Sequence, residues 1–113
     1  MALKMVNRDV NGVTVLALDG RIVFGEETNA LRETVKGLLA EGKTKLVLNM
    51  DRVPYLDSSG IGTLIGGYSS AKSQGGSLRL CCVGPRCTEV LGLIPGVIEI
   101  FDTEANAVRS LSW

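Results

Sequence analysis

The sequence predicts an α/β fold: a small mixed sheet that opens with an antiparallel N-terminal hairpin, continues in parallel β–α repeats and carries helices packed on the sheet. Three observations predict it. Short apolar runs such as Leu46-Val47-Leu48 alternate along the chain with segments whose apolar residues recur at helical spacing. Asn11-Gly12, a hairpin turn signal, stands between the first two apolar stretches. The chain has 113 residues, 45% of them hydrophobic, which suits one domain spanning 1–113 with one ordinary core.

The elements follow in order. Residues 3–8 alternate loosely, with Leu3 and Met5 on one side. Val13 to Leu18 is apolar on both faces and should be the more central strand of the hairpin. Over 26–41, Leu31, Val35, Leu38 and Leu39 share one helical face. Glu26 and Glu27 sit in its first turn, where the helix dipole favours anions, and Gly42 stops it. A strand beginning at Lys45 follows. Residues 58–73 place Ile61, Leu64, Ile65 and Tyr68 at helical spacing, and Gly75-Gly76 ends that helix. Residues 77–83 form a strand, and Pro85 opens a short helix. Val97 to Phe101 is the last strand. Asp102 or Thr103 caps a final helix with Ala105, Val108 and Leu111 on one face.

Composition narrows the function. Lys+Arg and Asp+Glu are 12 each, so the net charge is zero and the basic surplus of a direct nucleic-acid binder is missing. With no histidine, His-based triads, His general bases and nearly all catalytic zinc sites are excluded. The three cysteines, Cys81, Cys82 and Cys87, contain no CxxC spacing and are expected as buried or half-buried free thiols. The adjacent pair, being in a strand, should point to opposite faces. No apolar run is long enough for membrane insertion, and the opening residues lack the core of a signal peptide. A soluble, cytoplasmic protein is expected.

Residues 53–62, Val-Pro-Tyr-Leu-Asp-Ser-Ser-Gly-Ile-Gly, are the chemically unusual segment. They join a buried strand to a helix. Taking Asp57 as N-cap makes Leu56 and Ile61 the N′ and N4 residues of a hydrophobic staple; taking Ser58 as N-cap leaves no staple. Asp57 is therefore the cap and Ser58 the first helical residue. A hydroxyl there is accessible, and a phosphate on it would meet the positive end of the helix dipole, opposed by the charge of Asp57. Its larger effect should fall on a partner surface. Gly60 and Gly62 admit two compatible readings: close packing of the helix on the sheet, or a flat surface beside Ser58 for another protein's backbone.

Other motifs fail on detail. A dinucleotide fingerprint needs glycine at 65, where Ile65 stands, and no P-loop pattern occurs. Gly67-Tyr68-Ser69-Ser70-Ala71 lacks the second glycine of a nucleophile elbow. An aspartyl-phosphate site at Asp57 would need clustered acids, and only scattered ones such as Asp19 and Asp102 are found. A small-ligand or nucleotide site at the helix start is a further reading, and an independent enzyme is the least favoured.

Leu46-Val47-Leu48-Asn49-Met50-Asp51, then Val53, Tyr55 and Leu56, then Asp57-Ser58-Ser59-Gly60-Ile61-Gly62 resembles the STAS domain of bacterial anti-sigma factor antagonists. Gly75-Gly76, the Pro85 helix and the last strand match as well, so the resemblance covers essentially the whole chain. It implies a STAS-like domain that is a regulatory switch and not an enzyme. The unphosphorylated form would bind an anti-sigma factor that is itself a serine kinase, freeing the sigma factor. That kinase would phosphorylate Ser58, with Ser59 the rival acceptor, and a serine phosphatase would reset the switch. ATP and Mg²⁺ belong to the kinase, so no cofactor or metal is implied for this chain. Asp57, Ser58, Ser59, Gly60, Gly62 and Arg21 are the implied partner-binding residues. The alternative is a STAS module in another assembly, a lipid-transport ABC system subunit or a signalling scaffold, docking constitutively. One departure stands out. Where many relatives carry Gly-Glu-Leu-Asp, this chain has Gly20-Arg21-Ile22-Val23. Arg21 is then either a solvated loop residue or a partner for a phosphate on Ser58 or for an acid on the kinase.

Overall fold

The structure, a computed structural model, describes residues 3–92 and 96–112; the Met1-Ala2 start lies outside them. The elements are β1 Lys4–Val10, β2 Val13–Asp19, α1 Glu26–Ala40, β3 Lys45–Arg52, α2 Ser58–Ser73, β4 Ser77–Cys81, α3 Pro85–Leu91, β5 Ile100–Phe101 and α4 Glu104–Leu111. The five strands lie in sequence order, β1 antiparallel to β2 and the rest parallel. This is the expected mixed α/β architecture. Asn11 and Gly12 take the positive φ angles that a two-residue hairpin requires.

The period of two along the strands divides the interior. Leu16, Leu18, Leu46, Leu48, Met50, Leu78 and Leu80 face one side, where they pack with apolar residues of α1, α2 and α3. Val13, Val15, Val47 and Cys81 face the other, under Ala107, Val108 and Leu111 of α4. The sheet is thus covered on both faces, which explains the near-continuous apolar runs of β2 and β3. The α2–β4 junction requires glycine: a Cβ on Gly76 would stand 2.0 Å from the Thr44 carbonyl oxygen.

Four expectations are corrected. β4 ends at Cys81, not at Val83, because Cys82 takes φ +59°, a left-handed conformation that a strand does not continue. The same turn brings Cys82 against the apolar cluster that holds Cys81, so the two cysteines do not point to opposite faces. All three thiols are free as expected, Cys81 and Cys87 buried and Cys82 half-buried. β5 is confined to Ile100–Phe101: the chain leaves a positive-φ turn at Gly96 and pairs with β4 only at Leu80 and Cys81. In α4 the inward face is Glu104, Ala107, Val108 and Leu111, and Ala105 is exposed. Glu104 turns inward because its carboxylate pairs with Arg8 and accepts from Asn49 Nδ2 at 3.1 Å. Burial raises its pKa, but the Arg8 and Asn49 contacts prevail and leave it lowered.

Candidate functional site at the start of the second helix

β2 and β3 continue their pairing beyond their regular ends, and this builds the site. The register shifts between Ala17 and Asp19. Gly20 N–H then donates to Arg52 O at 3.1 Å, Ile22 N–H to Tyr55 O at 3.1 Å, and Asp57 N–H to Ile22 O at 3.3 Å. Ile22 and Leu56 form an isolated parallel bridge, both fully buried. The loop after β2 is thereby laid along the loop before α2.

Asp57 locks the arrangement. Its Oδ1 accepts from Gly60 N–H at 2.9 Å, which makes it the N-cap of α2. Its Oδ2 accepts from Phe24 N–H at 3.0 Å, in the other loop. The Phe24 contact is the largest influence on this carboxyl and, with the Gly60 and Ser59 N–H groups, outweighs desolvation to hold its pKa below the ordinary value. Leu56 and Ile61 are buried in one cluster on either side of the cap, as the staple predicts.

With Asp57 as cap, Ser58 is the first helical residue. Its side chain is exposed, and its hydroxyl has no hydrogen-bond partner among the described residues. Ser59 is half-buried and turned towards α1, where it walls a cavity with Phe24 and Arg32. The two candidate glycines separate. Gly62 is exposed with open space where a Cβ would be. Gly60 is buried, and a Cβ there would lie 2.3 Å from Ile22 O. It seats the loop beneath the surface instead of flattening the surface. Arg21 is exposed, one residue before the Ile22 bridge, and forms no hydrogen bond or ion pair among the described residues.

Three residues that sequence reasoning did not select belong to this end of the sheet. Phe24 is 80% exposed and Tyr55 37%, two of the few large apolar side chains in solvent. Arg86, in the first turn of α3, lies 5.5 Å from the Tyr55 ring centroid, a cation–π contact. A phenylalanine flanked by Val23 and Gly25 has no periodic pattern to mark it as outward. The available signal was its position in the loop that a parallel fold brings beside α2.

Among the described residues no base contacts the Ser58 hydroxyl, and both oxygens of the neighbouring carboxylate accept from backbone amides. The arrangement leaves an exposed alcohol at the start of α2, in the same segment as Tyr55 and across from the loop that carries Phe24. No described helix is long and apolar enough to cross a membrane, and the described residues contain no group of three or more metal-ligating side chains.

The family model described as the STAS domain matches residues 4–107, and the chain belongs to that family. It is 25% identical to the anti-sigma F factor antagonist of Paenibacillus polymyxa over 114 residues, 98% of this chain and 97% of that one. Its fold is similar to that of a candidate anti-sigma factor antagonist of Thermotoga maritima, with TM-score 0.89, 22% identity and coverage of 96% and 95% of the two chains. The Bacillus cell-fate determinant SpoIIAA in its phosphorylated form superposes with TM-score 0.73 at 20% identity, over 96% and 97% of the chains.

Proposed function

We propose that this chain acts as a single-domain anti-sigma factor antagonist controlled by phosphorylation of Ser58. Unphosphorylated, it docks on an anti-sigma factor that is a serine kinase, and the sigma factor is freed. The contact face comprises Ser58, Ser59 and Gly62 with Arg21 beside them, and Asp57 and Gly60 hold that face in shape. Transfer of a phosphoryl group to Ser58 places about two negative charges in the interface and ends the complex. A serine phosphatase restores the first state. The chain supplies binding and no catalysis of its own, needs no cofactor, and works in the cytoplasm.

The observation that carries this reading is the state of Ser58: exposed, first in its helix, and without a hydrogen-bond partner among the described residues. The phosphorylated form of a similar fold and the relative's name as an antagonist support it. The test is intact mass and site mapping after incubation with the co-purifying partner and ATP. One phosphate on Ser58, none on Ser58→Ala and retained binding by Ser58→Ala are expected. A transporter ATPase as the partner, or undiminished binding by Ser58→Asp, would overturn the reading.

A further inference from the structure

The adjacent serines face different surroundings. Arg32 reaches from α1 towards α2, donating from Nη1 to Asn29 Oδ1 at 2.9 Å and from Nη2 to Thr63 Oγ1 at 3.4 Å. Thr63 Oγ1 in turn donates to the carbonyl oxygen of Ser59 at 2.9 Å. Arg32, Ser59 and Thr63 wall an open cavity of about 320 Å³ together with Phe24, Thr28 and Asn29. Among the described residues, Arg32 is the only charged one along that wall. The nearby acids Glu26, Glu27 and Asp57 are not part of it, and Asp57 is engaged with Phe24 and Gly60 amides. Ser58 does not line this cavity.

We propose that the cleft beside Ser59 is a phosphomonoester site with Arg32 as its cation, so that a phosphoryl group on Ser59 is held within the domain while one on Ser58 is left for a partner to meet. This deepens the reading of the α2 start as a phosphoacceptor and rests on it. The guanidinium has N–H donors beyond those used by Asn29 and Thr63, and these can donate to phosphate oxygens. The cleft is roomy for a phosphate. The two modifications therefore differ in kind: one exposes a dianion, the other pairs it and fills the space between α1 and α2. The serine that accepts the phosphate decides whether the charge acts outwards.

The test needs neither kinase nor partner. Phosphoserine is incorporated genetically at 59 or at 58 in the full chain, and the second ionisation of the phosphate is followed by ³¹P NMR. In the Ser59 form it is expected to titrate roughly half a pH unit or more below its position in the same protein carrying Arg32→Gln, because the cation favours the dianion. Arg32→Lys, which keeps the charge, should retain most of that difference. In the Ser58 form, Arg32→Gln should leave the titration unchanged. Equal titration of the Ser59 form with and without Arg32, or equal dependence of both forms on Arg32, would overturn the proposal. So would loss of the folded circular-dichroism signal on placing phosphoserine at 59, since the cleft would then not hold the group. The partner-binding test at Ser58 is a separate measurement, and either can fail alone.

Discussion

The carboxylate of Asp57 accepts from Gly60 N–H on one oxygen and from Phe24 N–H, 33 residues away in the chain, on the other. One side chain thus starts α2 and pins the β2–α1 loop against it. Asp57→Ala removes both acceptors. A loss of about 1–2 kcal/mol in urea unfolding is expected, the upper part of the range for N-cap removal because a second amide loses its partner. The loop amides from 22 to 25 should gain hydrogen-exchange rate at the same time.

The lowered pKa of Asp57 adds a pH dependence. A carboxyl that is more acidic folded than unfolded contributes stability above its unfolded pKa, and that contribution is lost as pH falls through the folded value. Stability should therefore drop as pH is taken below about 4. Asp57→Asn should flatten this fall in part. Glu104, whose pKa is also lowered, should supply a further share, removed by Glu104→Gln.

Gly60 and Gly62 are expected to respond to alanine with opposite signs. The new methyl at 60 would lie 2.3 Å from the Ile22 carbonyl oxygen, so backbone must move. Gly60→Ala should cost about 2 kcal/mol or more. At 62 the space is open, and Gly62→Ala should gain up to about 1 kcal/mol from helix propensity. Thermal melts of the pair check this directly; equal shifts would contradict the inward placement of Gly60.

Ser58→Asp and Ser58→Ala should both leave stability within about 0.5 kcal/mol of the parent, since the side chain has no partner to lose. Binding should separate them. Under the proposed function, Ser58→Ala should keep affinity for the partner kinase, whereas Ser58→Asp should weaken it by about tenfold or more, equivalent to about 1.4 kcal/mol. Calorimetric titration gives both numbers.

Phe24 is expected to matter to the complex and not to the fold. At 80% exposure its ring buries little within the domain, so Phe24→Ala should unfold at nearly the parent temperature. If the ring is an interface anchor, the variant should lose more than about 1 kcal/mol of partner affinity, seen chiefly as faster dissociation.

Much of this organisation was legible in local patterns. The Leu56–Ile61 pair placed the cap on Asp57 to the residue, because a staple tolerates only one register. The near-continuous apolar runs of β2 and β3 are those of buried strands, because both faces of the sheet are covered. What escaped depends on contacts between distant segments. The spacing puts Ala105 on one face with Val108 and Leu111, yet Arg8 and Asn49, from two strands, draw Glu104 inward and rotate that face of α4. Gly60 admits both close packing and a flat surface until the loop carrying Ile22 is laid over it. Cys82 looked like strand, and nothing in its neighbours announces a left-handed turn. Phe24 and Arg32 come beside Ser59 only once the chain is folded.

The tie between Asp57 and Phe24 also says what a fragment of this protein can and cannot do. A synthetic peptide spelling residues 53–62 contains both alcohols and the acid, but not the loop that the acid holds. Such a peptide is expected to compete feebly for a partner that docks on the proposed face, which the folded loop and helix build together.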